Sequence, residues 1–436
     1  MINSIFKSKQ PPYFILLLIL AGEAVFILPF VLARIFRPTF LDVFNLTNLE
    51  LGTCFSIYGI VAFISYLFGG SFADKFQPRY LIGSALILTA LGGIVLASSP
   101  SYLTLKILYG YWGFTTIFLL WAAMIKATRI WGGIKNQGLA FGFLDGGRGL
   151  VAAGFGSLGV IIFSIFLTSE IGVATIEERT EAFKYVILIS SAIVGFVGLL
   201  VLSFLKDVSS EEETRRRTWA DTLANFRIVL KIPSVWLLMI IILCAYVGYK
   251  ITDVFSLYAN EVMGYDDIES AKVGAYLLYI RPIIGVSIGF IADKTKTSLM
   301  MILGFILMLI GALIFASGVL EPSMSLFFLF SLLITATGVY AFRTLYFAAM
   351  HEGHIPLAVT GTAVGFISLI GYTPDIFMGP AMGYLLDNTP GEQGHQHVFI
   401  MLSAFAIVGL ITAIVFYFIT KTKSSLNITS TKNIET

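Results

Sequence analysis

The chain has 436 residues, of which 57% are hydrophobic and only 12% are charged, with a formal net charge of +2. A soluble domain carries charge on roughly a quarter of its residues, so this composition excludes a soluble globular fold. The two cysteines, Cys54 and Cys244, lie in apolar runs, which excludes a disulfide framework. The sequence contains no phosphate-cradling loop, nucleophile elbow or zinc motif. We therefore expect no cofactor, no metal and no enzymatic activity.

Twelve apolar runs follow one another along the chain, and crossing a bilayer takes roughly 20 apolar residues. Lys7 and Lys9 precede the first run, which is too long for the apolar part of a signal peptide and is the first predicted span. The predicted spans are 13–35, 51–72, 80–98, 102–126, 138–167, 184–204, 233–258, 271–292, 298–318, 324–349, 357–384 and 397–420. The sequence thus predicts an all-α integral membrane protein whose termini lie on the same side.

The distribution of basic residues predicts the orientation, because cytoplasmic loops are enriched in lysine and arginine. With a cytoplasmic N-terminus, the outer loops contain only Arg37 and Arg179 as basic residues, and they carry acidic runs at 177–181 and 266–269. The basic residues assigned to the inner side are Lys7, Lys9, Lys75, Arg79, Lys126, Arg129, Lys135, Lys206, Arg215, Arg216, Arg217, Arg227, Lys231, Lys294, Lys296, Lys421, Lys423 and Lys432. We predict a multi-pass protein of the cell (inner) membrane with both termini in the cytoplasm.

One loop is long and strongly charged, and it divides the spans six and six. It covers 205–232, where three glutamates at 211–213 are followed by three arginines at 215–217. The predicted domains are an N-terminal six-helix bundle (1–204), this cytoplasmic linker, a C-terminal six-helix bundle (233–420) and a cytoplasmic tail (421–436). The tail is polar, and we expect disorder after Lys423.

A short motif occurs after the second span and again after the eighth. It consists of glycine, three further residues, aspartate and lysine, and it covers Gly70–Lys75 and Gly289–Lys294. The two copies lie 219 residues apart, about half the chain. A repeat of this length indicates two parallel six-helix repeats with a site between them.

The first copy continues to Arg79 and resembles the signature loop of the major facilitator superfamily. It departs at Gln77, where the family often has glycine. The resemblance implies two six-helix bundles around a central cavity, which alternate between inward-open and outward-open states. Both copies of the motif stand at the helix where this plan requires them.

The motif also predicts a conformational latch on the inner side. Gly70 permits a close approach of two helices, and Asp74 is suited to cap a helix N-terminus and to pair with Arg129. With Arg79 and the repeated Asp293, these residues would hold the inner side closed and favour the outward-open state. The alternative is a solvated loop that only fixes the topology.

A narrower resemblance is to the organophosphate:phosphate antiporter branch, whose members carry glycerol phosphate or hexose phosphate. The segment 73–79 looks like that branch's loop S-D-R-x-N-P-R. The resemblance places Arg34, across a gap of a few residues, near a phosphate-binding arginine of helix 1. It places Arg148 where the branch has a substrate histidine in helix 5. At a second phosphate arginine, in helix 7, this chain has Gly248, with Lys250 two residues on.

Ionisable residues inside spans are costly unless they are paired or hydrated, so each is a candidate site residue. Arg148 and Arg281 both lie near the middle of their spans, where we expect them to bind an oxyanion. A local pair with Asp145 is the alternative for Arg148, and Asp145 is also a candidate for proton coupling. A fixed ion pair between the bundles is the alternative for Arg281, which has no acidic residue three or four positions away.

Three further acidic residues and Lys250 are candidate site residues inside spans. Glu23, near the middle of helix 1, either carries a proton or neutralises one of the arginines. Lys250 and Asp253 in helix 7 either pair with each other or contact the substrate. Asp375 follows 371–374, a stretch suited to break helix 11 and to line a cavity.

Two remaining polar side chains have weaker signals. Tyr279 precedes Arg281 by two residues and offers a hydroxyl group to a substrate, with packing as the alternative. Arg343 lies near the inner end of helix 10, so its guanidinium is expected to reach towards the cytoplasm.

These features predict a secondary active transporter that moves a small anionic organic solute by alternating access. We expect a proton or a counter-anion as the coupling species, a lipid bilayer around a monomer, and no nucleic-acid partner. The alternative function is a transporter-like membrane sensor for an anionic metabolite. A membrane-embedded enzyme is disfavoured, because no nucleophile and base lie at the same depth.

Overall fold

The computed structural model describes residues 11–132, 137–167, 174–205, 226–356 and 359–432, and this part of the chain is helical, without β-strands. The spans in chain order are α1 Pro12–Ile35, α2 Asn48–Lys75, α3 Pro78–Ala97, α4 Tyr102–Gly132, α5 Gln137–Phe166, α6 Ile176–Phe204, α7 Pro233–Glu261, α8 Asp267–Lys294, α9 Thr297–Ala316, α10 Ser325–Glu352, α11 360–388 and α12 Glu392–Lys432. All but α11 are long and apolar enough to cross a bilayer as one helix. The twelve-helix prediction is confirmed.

The helix ends differ from the predicted bounds where polar residues extend a span. The helix α6 begins at Ile176 rather than at 184, because Thr175 and Glu178 form a capping box. The helix α12 continues to Lys432, so its backbone is helical through most of the predicted tail. The predicted linker falls largely outside the described residues.

The two bundles, α1–α6 and α7–α12, meet along seams that small residues permit. In the seam of α2 with α11, a Cβ atom at Gly52 would lie 2.2 Å from the carbonyl oxygen of Gly379. Only glycine allows backbones to approach so closely. The Ser256 hydroxyl of α7 donates a hydrogen bond to the Arg34 carbonyl of α1 at 2.7 Å, so a side chain of one bundle bonds to the backbone of the other there.

Charged contacts join the bundles at the end that is predicted to be outer, which is called the outer end below. The Asp387 carboxylate of α11 accepts hydrogen bonds from the backbone N–H groups of Asn48 at 3.0 Å and Leu49 at 2.7 Å. A carboxylate at a helix N-terminus is favoured by the helix dipole. Arg179 of α6 lies 2.8 Å from Asp267 of α8. The outer ends of the bundles are therefore held together in this structure.

Four helices lose regular geometry within their span. The irregular stretches are a π-helix at Ile27–Val31 in α1, a π-helix at Phe114–Trp121 in α4, a 3₁₀ turn at Thr252–Val254 in α7, and a break between Gly371 and Pro374 in α11. The predicted break of α11 is confirmed. Such irregularities often occur at functional sites, and these lie beside the charged residues described next.

Candidate functional site

Five charged side chains from four helices meet in the middle of the molecule, and we name them the midplane cluster. They are Glu23 of α1, Asp145 and Arg148 of α5, Arg281 of α8 and Arg343 of α10. Arg148 Nε donates to Glu23 Oε2 at 3.1 Å, while Arg281 Nη1 lies 3.8 Å from Glu23 Oε1. Arg281 Nη2 donates to Asp145 Oδ1 at 3.2 Å. A single carboxylate, that of Glu23, thus contacts one arginine from each bundle.

This geometry distinguishes between the alternatives that the sequence left open. The partner of Arg148 is Glu23 and not Asp145 on its own helix, because the Asp145 carboxylate faces Arg281. Glu23 neutralises arginines, as one alternative stated. Arg281 is paired between the bundles, as its alternative stated, and its partners come from α1 and α5, far away in sequence.

The structure corrects the expectation that the Arg343 guanidinium reaches towards the cytoplasm. Its side chain does not extend to the cytoplasm, since Nη2 lies 3.9 Å from Asp145 Oδ1 and the guanidinium carbon lies 4.7 Å from the centre of the Tyr249 ring. A buried carboxylate and an aromatic face attract a guanidinium away from the membrane surface. Arg343 therefore belongs to the midplane cluster.

Several hydrogen-bond donors in and beside this cluster are unused. Arg281 Nε and the Tyr340 hydroxyl are buried and have no hydrogen-bond partner among the described residues. Among the described residues, Glu23 accepts a hydrogen bond only from Nε of Arg148. The two terminal amino groups of Arg148 form no hydrogen bond with the described residues. Because buried polar groups are normally satisfied, a set of unused donors is typical of a site that binds an acceptor.

A second group of charges lies towards the outer end, and we name it the outer cluster: Arg34 of α1, Lys250 and Asp253 of α7, and Asp375 of α11. Arg34 forms an ion pair with Asp253 between the bundles. Lys250 Nζ lies 3.4 Å from Asp253 and 3.3 Å from Asp375. The side chains of Lys250 and Asp253 are each only 2% exposed, so this pair is closed to solvent, whereas the Asp375 side chain is 16% exposed.

The outer cluster bears on three predicted substrate residues. Arg34, which the family resemblance implied as a phosphate ligand, is engaged by Asp253 and donates to the Tyr249 hydroxyl at 3.2 Å. Lys250 makes the local pair with Asp253 that was one of its alternatives. Asp375 accepts from the Tyr246 hydroxyl at 3.1 Å and lies directly after the break in α11. The structure brings these three residues together, and their contacts are mainly within the outer cluster.

Tyr249 connects the two clusters. Its ring lies 4.8 Å from the guanidinium carbon of Arg34 and 4.7 Å from that of Arg343. Tyr340 of α10 lies beside Arg34 and Arg281. Sequence reasoning missed both tyrosines. One signal for Tyr249 was available, because it lies four residues before Asp253 and so shares a helical face with that carboxylate.

Tyr279 lies apart from both clusters. Its hydroxyl is 2.9 Å from the Ser157 hydroxyl of α5, and the residue is 40% exposed. On a helix, residues two positions apart are separated by about 200° of rotation. Tyr279 and Arg281 therefore point to different sides of α8. The structure places Tyr279 at a contact between the bundles.

The predicted latch is described only in part, since the side chains of Asp74 and Asp293 lie outside the described residues. Arg79 donates to the Tyr80 hydroxyl at 2.6 Å, and the Arg129 side chain is exposed. Among the described residues, no atom outside the backbone of α2 lies within 4 Å of a Cβ built at Gly70.

The close approach expected at Gly70 occurs one residue earlier. A Cβ at Gly69 would lie 3.2 Å from the carbonyl oxygen of Phe118 in α4. Lys126 of α4 donates to the Ala73 carbonyl near the end of α2 at 2.9 Å, where a cation is favoured by the helix dipole. The end of α2 that is predicted to be inner is thus anchored to α4 by a lysine that the motif does not include.

The sequence profile of the Major Facilitator Superfamily matches residues 13–377. The chain therefore belongs to this superfamily, and it is a multi-pass membrane protein of the transporter class. The family predicted from the repeated loop motif is confirmed.

Two curated relatives come from Escherichia coli (strain K12). The inner membrane protein YqcE is 28% identical over 398 residues, which cover 88% of this chain and 90% of the relative. The inner membrane protein YihN is 28% identical over 406 residues, which cover 91% of this chain and 93% of the relative. Both relatives span nearly the whole chain, so the similarity includes both bundles.

Solved transporter structures share the fold. A bacterial homologue of the human lysosomal transporter Spinster, in an inward-facing and occupied conformation, aligns with a TM-score of 0.67 and 17% identity over 94% of this chain and 96% of that one. A mutant of the nucleoside transporter NupG aligns with a TM-score of 0.73 and 12% identity over 93% of this chain and 100% of that one. At such identities the likeness concerns the fold alone.

Proposed function

We propose that this protein is a secondary active transporter that moves a small organic anion across the membrane by alternating access, with the midplane cluster as its binding site. The charge of the buried network carries the proposal. Five cations face four carboxylates across the two clusters, which leaves one positive charge uncompensated.

Binding of an anion is favoured where that charge is accessible. Unused guanidinium donors belong to Arg148 and Arg281, and a planar guanidinium binds a carboxylate or a similar oxyanion through two parallel hydrogen bonds. A single excess charge fits a monoanion such as a carboxylate or a sulfonate better than a phosphate ester. Arg34 is held by Asp253, which further disfavours the phosphate-ester specificity of the antiporter branch.

The coupling of binding to movement follows from Glu23. An anion that binds Arg148 and Arg281 competes with the carboxylate that now contacts both. Either a proton on Glu23 that accompanies the anion or the exchange of one anion for another would keep the net buried charge constant through the transport cycle. Because the two arginines belong to different bundles, occupancy changes the forces between the bundles and so biases the conformational equilibrium.

The outer contacts support an inward-facing state for this structure. Asp387 caps α2, and Arg179 pairs with Asp267, so these contacts would have to open for the site to reach the outer side. The proposal thus assigns binding to the middle of the molecule and closure to its outer end.

The test is uptake of labelled monocarboxylates and sulfonates into proteoliposomes that contain the purified full-length protein, with and without a proton gradient. We expect saturable uptake by the wild type and its loss in Arg148→Ala. The matched control is Lys106→Gln, which removes a positive charge that lies over the Tyr102 ring, outside both clusters. Binding without uptake would support the sensor alternative, and uptake that Arg148→Ala leaves unchanged would overturn the assigned site.

A further inference from the structure

A row of aromatic side chains leads from the midplane cluster to Asp375. The guanidinium carbon of Arg148 lies 5.6 Å from the Trp121 ring centre, and Trp121 meets Tyr66 edge-to-face at 6.4 Å. Tyr66 of α2 and Tyr372 of α11 are nearly parallel, with ring centres 6.5 Å apart. The row therefore crosses from one bundle to the other.

The far end of the row accepts hydrogen bonds. Tyr372 packs edge-to-face on Tyr246 at 4.9 Å, and the Tyr246 hydroxyl donates to both oxygens of Asp375. The hydroxyl groups of Tyr66 and Tyr372 form no side-chain hydrogen bond with the described residues. Acceptors and hydroxyl groups are thus concentrated at one end, and guanidinium donors at the other.

A small cavity lies at this far end. Its volume is about 10 Å³, and its polar lining comes from Tyr66, Ser368, Tyr372 and Asp375. A volume of roughly this size holds one water molecule, and a hydroxyl group of a ligand occupies the same space. The lining includes both bundles, so a ligand group here would be contacted from both sides.

The charge at this end distinguishes a hydroxyl group from an ammonium group. An aspartate surrounded by aromatic rings suits a cation, but the Asp375 carboxylate already lies 3.3 Å from Lys250 Nζ. A second ammonium beside that lysine would be repelled, whereas a neutral hydroxyl can still donate to the free lone pairs of the carboxylate. An anionic group is disfavoured beside Asp375 for the same electrostatic reason.

We propose that the substrate is a hydroxylated organic anion, whose anionic group binds Arg148 and Arg281 and whose hydroxyl groups bind Asp375, Tyr66 and Tyr372. This inference rests on the proposed function and specifies its substrate class. The aromatic faces between the two ends contact the C–H groups of the substrate body.

The experiment compares four ligands of similar size by calorimetry on the purified full-length protein. Glucuronate carries both the anion and the hydroxyl groups, cyclohexanecarboxylate only the anion, trans-4-aminocyclohexanecarboxylate an anion and an ammonium, and glucose only hydroxyl groups. We expect glucuronate to bind roughly tenfold or more tighter than each of the others, because a site built to hydrogen-bond hydroxyl groups rejects an analogue without them.

Two variants locate the preference. Tyr372→Phe and Asp375→Asn should each reduce the ratio of glucuronate to cyclohexanecarboxylate affinity towards one. The matched control is Tyr185→Phe, a tyrosine that stacks on Phe166 at 4.1 Å, away from the row, and it should keep the wild-type ratio. A ratio of affinities is insensitive to a uniform loss of active protein.

The outcomes separate the two proposals. Equal affinity for cyclohexanecarboxylate and glucuronate would overturn this inference and leave the anion transporter standing. The tightest binding by the amino compound would also overturn it, since Asp375 would then bind an ammonium. Binding of none of the three anions, or of glucose as tightly as glucuronate, would overturn the proposed function together with this inference.

Discussion

The midplane cluster and the outer cluster contain the same kinds of side chain but differ in access. In the outer cluster, Lys250 and Asp253 are buried, and each has an opposite charge as its neighbour. In the midplane cluster, the Asp145 side chain is 38% exposed, and the neighbouring arginines have donors to spare. Buried ion pairs can therefore serve two purposes in one protein. Fully compensated pairs join the bundles, and incompletely compensated ones are available to a ligand.

The largest expected effect is all-or-none labelling, which tests whether the outer cluster lies towards the outside of the cell. Cysteines at Glu178 and Asp266 should react with a membrane-impermeant maleimide from outside intact cells, while cysteines at Lys296 and at Arg216, a position outside the described residues, should react only after permeabilisation. The excess of basic residues in the inner loops is the reason. Labelling of position 216 from outside would reverse the orientation.

The next effect concerns stability. Asp253→Ala removes the buried carboxylate that Arg34 and Lys250 share. Removing one partner of a buried ion pair lowers the free energy of unfolding by about 3–5 kcal/mol. Asp145→Ala should cost roughly 1 kcal/mol or less, because its carboxylate is partly solvated. The melting temperatures of both variants in one detergent provide the measurement. Equal decreases would show that the two clusters do not differ in this way.

A third effect is on anion binding. Arg148→Lys and Arg281→Lys keep the charge but lose the planar fork, and each should weaken binding by about tenfold. Alanine at both sites should not be additive, because the two arginines share one ligand. Calorimetry with a panel of anions on the wild type, the four single variants and the double variant measures this. If all four single variants bind the anion as tightly as the wild type, the arginines are structural and the site is elsewhere.

The smallest effect is on the balance between open and closed states. Asp387→Asn weakens the cap on α2 and should shift the population towards outward-open by roughly two- to fivefold, corresponding to about 0.5–1 kcal/mol. Asp74→Asn should shift it in the opposite direction and slow transport, if the predicted inner latch exists. Distances between spin labels at Glu177 and Glu321, on the two bundles, report the shift.

Glu181→Gln is the control for these two variants, because Glu181 is an exposed carboxylate at the same end of the molecule. It should leave the distance distribution unchanged. A shift in the same direction for Asp387→Asn and Asp74→Asn would contradict opposing latches at the two ends. Wild-type turnover in Asp74→Asn would reduce the loop motif to a topology signal.

Much of the site was visible in the sequence because charge inside an apolar span stands out. Glu23, Arg148 and Arg281 could be placed near the midplane by counting residues along their helices, and the structure brings all three together. Their partners could not be found in this way. The sequence suggested Asp145 for Arg148 because they are near neighbours on one helix, whereas the structure pairs Arg148 with α1.

The sequence by itself determined the twelve spans, the repeated motif and the superfamily, since the length of apolar runs and the spacing of glycine and acidic residues are local properties. Only the tertiary structure decided which carboxylate meets which arginine, and that Arg343 points inwards to Tyr249. Helix rotation and the packing of one bundle against the other set these contacts. A shift of one residue turns a side chain by about 100°, so hydrophobicity along a buried helix does not specify which charges will face each other.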